Sequence, residues 1–262
     1  MDELPGSQNR HESRVSDPYL LDEDIQARLV DEMFCDRVVL KALMRKLARR
    51  MLGRKRQIEP AAVYNGLVVF HRIDLYGGGL RHGQNILRVL LELGLAPCER
   101  LFEFCAGPGY IGYSLLANGF CQRLTLSDIN PDAVEVAKQT AKYNRIEHLV
   151  NVYRSDVLRQ IPKDEKWDLV VGNPPGCVPG CEDPANLINC DPGWSVHRRF
   201  YASVKEYMRP GGHVLMVEGR AGSSPDLFEP MIRAGGARIV ATNWGTDFRG
   251  QDIDKYYMIS QW

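Results

Sequence analysis

The sequence carries no excess charge of either sign, because 33 Lys and Arg residues balance 33 Asp and Glu residues. This neutrality disfavours a general affinity for nucleic acid or for an anionic membrane surface. The sequence contains no apolar run near the roughly 18 residues that a membrane helix needs. The opening stretch, MDELPGSQNRHESRVSDPY, lacks the apolar core of a secretory signal. We therefore expect no membrane association and a disordered segment over residues 1–18.

The sequence also lacks a recognised metal-ligand spacing. Its densest group of candidate ligands reads C-x3-C-x8-C-x6-H, formed by Cys177, Cys181, Cys190 and His197. This spacing is not a known zinc pattern, so we predict no metal site. Seven cysteines without a secretory signal indicate reduced thiols and a cytoplasmic location.

Helical periodicity is present in the N-terminal quarter of the chain. Apolar residues recur at intervals of three and four between residues 20 and 56, at Ile25, Leu29, Met33, Leu40, Leu43 and Leu47. We expect a helical extension or lid over residues 19–74. Its apolar stripe must be covered, either within that extension or by a second copy of the chain in a homodimer. The basic run between Arg45 and Arg56 is either a solvated helix face or a contact for an anionic partner.

From residue 75 to residue 262, short apolar strands alternate with helix-length segments. We predict strands at 100–104, 123–127, 150–154, 167–172, 213–217, 238–242 and 256–260. Helices are expected at 111–118, 131–144, 196–208 and 226–234. This alternation indicates an α/β domain with a doubly wound, mostly parallel, seven-stranded Rossmann-like sheet. The last two strands have no helix between them, so we expect an antiparallel hairpin at the sheet edge.

Acidic residues lie at the ends of three successive predicted strands. Glu103 precedes a loop in which Gly107, Gly109 and Gly112 satisfy the weak G-x-G-x-x-G spacing. Asp128 follows the second strand, where a carboxylate can bind a ribose diol. Asp156 follows the third strand. An acid at position 103 would repel a pyrophosphate, so it indicates a ligand with a cationic group, such as an amino-acid ammonium.

These residues, together with Asn173, Pro174 and Pro175, resemble the class I S-adenosylmethionine-dependent methyltransferases. The N-P-P motif is similar to that of the branch that methylates nitrogen, and the nearest resemblance is to protein-glutamine methyltransferases. The resemblance implies S-adenosylmethionine as the cofactor. It also implies that Asp128 binds the ribose, Ile129 flanks the adenine, and Asp156 contacts the adenine amine. The further cofactor-binding residues it implies are Glu103, Cys105, Ala106, Gly107, Gly109, Val157 and Asn173.

The catalytic residues that we predict are Asn173 and Pro174. The nitrogen of an amide or guanidine is a poor nucleophile because its lone pair is delocalised. The Asn173 side-chain oxygen and the Pro174 carbonyl can accept its N–H hydrogens and orient the lone pair. Gly176 departs from the family, which usually has an aromatic residue there. The predicted acceptor-binding residues are Pro175, Gly176, Asp191, Trp194 and Glu218.

We therefore expect an N-methyltransferase that acts on an amide or guanidino nitrogen. The acceptor is a small amino-acid-like metabolite such as free arginine, or a protein side chain. Three other functions remain open: a nucleic-acid base N-methyltransferase, a dinucleotide-dependent oxidoreductase, and a non-catalytic nucleic-acid binder. Loss of the aromatic residue at position 176 disfavours a flipped base. The oxidoreductase reading leaves Asn173–Pro175 unexplained.

Overall fold

A computed structural model describes residues 58–72, 75, 81–176, 190–246 and 252–262. The predicted helices between residues 20 and 56 lie outside this part of the chain. So do Cys177, Cys181 and the proposed dimer contact. The prediction for these segments therefore stands as made.

Seven strands form one sheet in the order β5-β4-β3-β6-β7-β9-β8. The strands are β3 (Cys98–Phe104), β4 (Cys121–Asp128), β5 (Val150–Arg154), β6 (Trp167–Gly172), β7 (Met208–Glu218), β8 (Arg238–Thr246) and β9 (Asp252–Gln261). Strands β3 to β7 are parallel to one another, whereas β9 runs antiparallel to both β7 and β8. All seven predicted strands and the antiparallel edge are confirmed.

Within the described residues, five helices flank this sheet, namely α1 (Arg81–Glu92), α2 (Tyr110–Ala117), α3 (Pro131–Tyr143), α4 (Ser195–Ser203) and α5 (Pro225–Ala234). A 3-10 turn, Pro192–Trp194, precedes α4, and a second one, Val204–Tyr207, follows it. The predicted helix 196–208 is thus an α-helix that tightens in its last turn. Asn130 caps α3 by accepting a hydrogen bond from the Asp132 amide, and Pro131 occupies the first turn.

Alternation along each strand sends side chains into two separate cores. On β3, Leu101 faces the cluster built with α1, α2 and part of α3, whereas Phe102 and Phe104 face the cluster built with α4 and α5. Val171 and Val170 of β6 divide in the same way. Helices therefore cover both faces, as a doubly wound sheet requires.

A β-hairpin lies within the segment that we expected to be helical. Strands β1 (Glu59–Tyr64) and β2 (Leu67–His71) pair antiparallel through a turn at Asn65 and Gly66. Both turn residues have positive φ angles, 43° and 86°. An Asn-Gly pair between β-branched runs is a strong signal for such a turn, and the helical prediction for these residues is wrong. The helical extension therefore does not reach residue 74. The hairpin packs on α3, since the Phe70 amide donates to the Thr140 hydroxyl at 3.0 Å.

The Trp167 ring is the largest side chain that the sheet buries completely, and it generates a stability prediction. It stacks on Phe102 at 4.0 Å and on Tyr207 at 5.1 Å. Trp167→Ala is expected to lower the free energy of unfolding by about 3–5 kcal/mol, because it leaves a cavity in a close-packed core. Trp244 is the matched control, since its side chain is 52% exposed. Trp244→Ala is expected to cost about 1 kcal/mol or less. Urea unfolding of both variants measures the difference, and equal losses would contradict this assignment of the core.

Candidate active site

The candidate site lies where the strand order reverses. Strand β4 pairs with one edge of β3 and β6 pairs with the other, so a crevice opens beyond the carboxyl ends of β3 and β6. The segments that follow β3, β4, β5 and β6 therefore meet at one edge of the sheet. They contain the predicted acids, the glycine loop and the N-P-P motif.

The loop 105–109 connects β3 to α2, and three of its backbone amides donate hydrogen bonds that fix it. The Ala106 amide donates to the Ser127 carbonyl at 2.9 Å, and the Gly109 amide donates to the Ala106 carbonyl at 2.8 Å. The Gly107 amide donates to an Asp128 carboxylate oxygen at 2.7 Å. The structure thus brings the loop that contains Cys105, Ala106, Gly107 and Gly109 against the end of β4, and the contact of these residues with the cofactor stays a prediction.

Two glycines of this loop do different jobs. Gly109 has a φ of 87°, and a Cβ there would lie 2.8 Å from Leu126 and 2.9 Å from Tyr113. Gly107 has a φ of 54°, but no described atom lies within 4 Å of its would-be Cβ. Gly109 is therefore required by packing of the protein itself. Gly107 leaves an open cradle in which a ligand can approach the backbone.

Glu103 is buried behind this loop and is 2% exposed. Its carboxylate accepts a hydrogen bond from the Gly112 amide in the first turn of α2 at 2.7 Å. Burial raises the pKa of Glu103 to about 8, with a smaller contribution from the charge of Asp128 and opposition from the Gly112 and Ile111 amides. Glu103 thus anchors α2 on β3, and its contact with the methionine end of the cofactor stays a prediction.

Asp128 lies at the end of β4 with both carboxylate oxygens engaged. One accepts from the Gly107 amide, and the other accepts from the Asn130 amide at 2.8 Å. Burial raises its pKa, and these two amides oppose the shift. The next residue, Ile129, is 46% exposed. Ile129 is thus apolar and exposed next to Asp128, which is consistent with the predicted packing of this side chain against adenine.

Asp156 follows β5, and Ser155 before it donates its amide to the Asp128 carbonyl at 2.9 Å. The Arg199 guanidinium contacts both carboxylate oxygens of Asp156, at 2.9 and 2.8 Å. Val157 has a positive φ of 55° and is buried. Asp156 and Val157 therefore follow directly on a contact with Asp128, and their contact with the cofactor stays a prediction. Arg199 was not predicted. It shares the Asp156 carboxylate that we expected to face the adenine amine.

The N-P-P motif directly follows β6, whose last residue, Gly172, pairs in register with Phe104 of β3 and Met216 of β7. Pro174 is buried, and Asn173 is half-buried. The Asn173 side chain makes no hydrogen bond to another residue of the described segments, so its amide group is free to bind an acceptor molecule. The Gly176 carbonyl accepts a hydrogen bond from the Asp191 amide at 2.7 Å.

The predicted acceptor-binding residues Asp191, Trp194 and Glu218 are buried rather than exposed in the crevice. His197 lies between the two acids, with Nδ1 2.7 Å from Asp191 and Nε2 3.0 Å from Glu218. The Trp194 ring packs edge-on against His197 at 5.1 Å. These three residues are therefore packed around His197 in the interior, and direct contact with an acceptor stays a prediction.

Two cysteines near the site differ from a simple exposed thiol. Burial raises the pKa of Cys105, aided by the charges of Asp128 and Asp191, so this thiol is no nucleophile at neutral pH. Cys190 is disulfide-bonded, which contradicts the expectation that all thiols are reduced.

None of the helices in the described segments is both long and apolar enough to span a membrane.

A doubly wound sheet with a glycine loop, a buried acid and an exposed apolar residue at adjacent strand ends is typical of α/β domains that bind a nucleoside-containing ligand. The chain belongs to the methyltransferase small domain family, whose model matches residues 82–242. This assignment confirms the predicted methyltransferase class, and with it the cofactor S-adenosylmethionine. The open cradle at Gly107 and the carboxylate of Asp128 fit that cofactor.

The curated relatives include several release factor glutamine methyltransferases. One from Clostridium acetobutylicum is 29% identical over 47% of this chain and 48% of its own length. One from Aquifex aeolicus is 26% identical over 81% of this chain and 80% of its own length. The match thus spans about half of the first relative and most of the second.

Among solved structures, the chain is similar to the T. thermophilus 16S rRNA N2 G1207 methyltransferase in complex with AdoMet and guanosine. The TM-score is 0.51 at 16% identity, over 78% of this chain and 50% of that chain. Likeness at this level of identity confirms the predicted fold alone.

The open cradle at Gly107 generates a prediction on cofactor binding. Gly107→Ala is expected to weaken S-adenosylhomocysteine binding by roughly 10-fold or more, about 1.4 kcal/mol, because the added methyl group occupies the space left for the ligand. Gly119→Ala is the matched control, since Gly119 also has a positive φ and no described atom near its would-be Cβ. Both variants carry similar backbone strain of about 1–2 kcal/mol. Calorimetric titration with S-adenosylhomocysteine measures the affinity of both variants. Equal affinities would contradict the prediction that the ligand approaches the backbone at Gly107.

The buried titratable groups generate a prediction on stability. Burial lowers the pKa of His197, but the charge of Glu218 and the hydrogen bond to Asp191 outweigh this and raise it to about 9. The folded pKa lies above the ordinary value of 6.5, so the stabilisation is complete below pH 6.5 and disappears as the pH rises through about 9. Glu103 shifts in the same direction between 4.5 and about 8. The free energy of unfolding should therefore fall from pH 6.5 to pH 9, by about 3 kcal/mol from His197 alone. Urea titrations across this range test the sign, which a flat or rising profile would contradict.

Proposed function

We propose that the protein transfers a methyl group from S-adenosylmethionine to a planar nitrogen, either an amide or a guanidino nitrogen. The observation that carries the proposal is the N-P-P motif at the end of β6. It lies across the strand-order reversal from the loop 105–109, with the Asn173 amide unengaged by other described residues. When bound, the cofactor supplies an electrophilic methyl group, and the loop 105–109, Asp128 and Ile129 would hold it.

The role of Asn173 and Pro174 is to orient the acceptor nitrogen. The Asn173 side-chain oxygen and the Pro174 carbonyl each accept one N–H, which holds the nitrogen lone pair in a single direction. Two prolines in succession fix the backbone and therefore the direction of that carbonyl. A dedicated base is not required, since the methylated nitrogen becomes acidic enough to lose its proton to water.

A glutamine side chain of a protein is the first acceptor to test. Support comes from the relatives that are named release factor glutamine methyltransferases. A free amino acid such as arginine is the second, because Gly176 replaces the usual aromatic residue and no described atom lies within 4 Å of its would-be Cβ. RNA is the third acceptor to test, since the solved structures similar to this chain include a tRNA m1G37 methyltransferase and a 16S rRNA N2 G1207 methyltransferase. Mass spectrometry of each acceptor after incubation identifies the methylated nitrogen.

Asn173→Ala is expected to lower turnover by about 10²- to 10³-fold, the loss seen when one preorganised polar group is removed from a transition-state site. Cofactor affinity should change far less, because Asn173 acts mainly on the acceptor. Asn151→Ala serves as the control, since Asn151 lies at the opposite end of the sheet and donates to Glu165. Single-turnover methyl transfer at saturating cofactor measures the effect. A normal rate for Asn173→Ala would mean that the N-P-P motif only ends a strand.

A further inference from the structure

The Asp191–His197–Glu218 cluster is completely enclosed and has no part in the mechanism described so far. The side chains of Asp191 and His197 are 0% exposed and that of Glu218 is 1% exposed. Both imidazole nitrogens have a carboxylate partner. The Phe228 ring stacks on His197 at 5.1 Å, and Trp194 closes another side. An ionic cluster without water is costly unless it is fully paired, so its members hold one another in a single arrangement.

This cluster is connected to the N-P-P segment by one backbone hydrogen bond. The Asp191 amide donates to the Gly176 carbonyl at 2.7 Å. The Asp191 carboxylate in turn accepts from the Ser195 hydroxyl at 3.0 Å, from the Val196 amide at 2.9 Å and from His197. Because Asp191 is held from several directions at the start of α4, the Gly176 carbonyl is fixed as well.

The opposite side of the cluster is attached to the sheet. Glu218 is the last residue of β7 and pairs in register with Tyr256 of β9. Strand β7 is also the neighbour of β6, from which the N-P-P segment emerges. His197 therefore links the rigid sheet, through Glu218, to the segment that carries Asn173, through Asp191.

We propose that His197 is a positioning residue for methyl transfer, and that it acts by holding the Asp191 amide on the Gly176 carbonyl and so fixing the acceptor-orienting segment 173–176. This proposal rests on the proposed function. His197 touches neither acceptor nor cofactor, so its loss should impair acceptor orientation while the cofactor half of the site, built on β3 and β4, remains intact.

The other titratable groups near the cluster do not replace His197. Burial raises the pKa of Cys105 after β3, of Tyr201 on α4 and of Tyr256 on β9. The charge of Asp128 is the next contribution for Cys105, whereas the charge of Glu218 adds to the shift for the two tyrosines. For Tyr256 the hydrogen bond with Ser223 opposes that shift. These groups are therefore neutral near pH 7. The His197 imidazole contacts both carboxylates directly, with Nδ1 at Asp191 and Nε2 at Glu218.

The test combines local hydrogen exchange with turnover in His197→Gln. NMR exchange at the Asp191 amide reports the bond to Gly176 directly, and the Val170 amide in the centre of β6 reports global stability. We expect exchange at the Asp191 amide to increase about 10-fold or more beyond any increase at Val170, whose rate reports the loss of global stability. Turnover should fall about 10- to 100-fold, the scale of a small misplacement of the reacting group. Affinity for S-adenosylhomocysteine should stay at the wild-type value.

A milder variant and a control accompany it. Ser195→Ala removes one donor to Asp191 from an exposed position, so it should fold and show smaller changes in the same direction even where His197→Gln does not fold. His213→Gln makes the same substitution on β7, away from the cluster, and should alter neither readout. The proposal is overturned if the Asp191 amide keeps its wild-type rate, if Val170 accelerates equally, or if turnover is unchanged despite faster exchange. A wild-type protein that methylates none of the acceptors would refute the proposed function before any variant is compared.

Discussion

The close approach of α2 to β3 and β4 is the constraint on which the cofactor half of the site depends. A Cβ at Gly112 would lie 2.7 Å from Leu124 and 2.8 Å from the Glu103 carboxylate. With no side chain there, the helix begins close enough for its Gly112 amide to meet Glu103. The loop 105–109 must then turn sharply, and Gly107 is left with its backbone facing open space. Packing in the core thus determines the shape of the ligand cradle.

The structure stabilises its buried acids in three different ways around this site. Glu103 is held largely protonated at neutral pH, since its pKa is raised to about 8. Asp128 accepts two backbone amides from the loops beside it. Asp191 and Glu218 share one imidazole. Each solution also fixes a different element, namely α2, the glycine loop and the segment 173–176.

The features that sequence patterns predict are those encoded by neighbouring residues. The strands, the acids at their ends and the N-P-P motif all depend on short runs of residues, and the structure places each as expected. The hairpin at Asn65 and Gly66 is also encoded locally, by the Asn-Gly pair of its turn. His197 is different, because its partners lie 6 and 21 positions away and converge only through the sheet order. The sequence pattern that included His197 was C-x3-C-x8-C-x6-H, which does not indicate contacts with Asp191 and Glu218.

The same long-range convergence explains why Asp191 and Glu218 looked like acceptor ligands. Acids at strand ends beside a long loop suggest a pocket for a cationic molecule, and nothing local reveals that a histidine covers them. In the structure these acids hold backbone and sheet together, since the Asp191 amide bonds the Gly176 carbonyl at 2.7 Å and Glu218 attaches the same imidazole to β7. A local pattern of acids therefore does not distinguish a pocket that receives a cationic ligand from a buried cluster that is closed by a histidine of the chain itself.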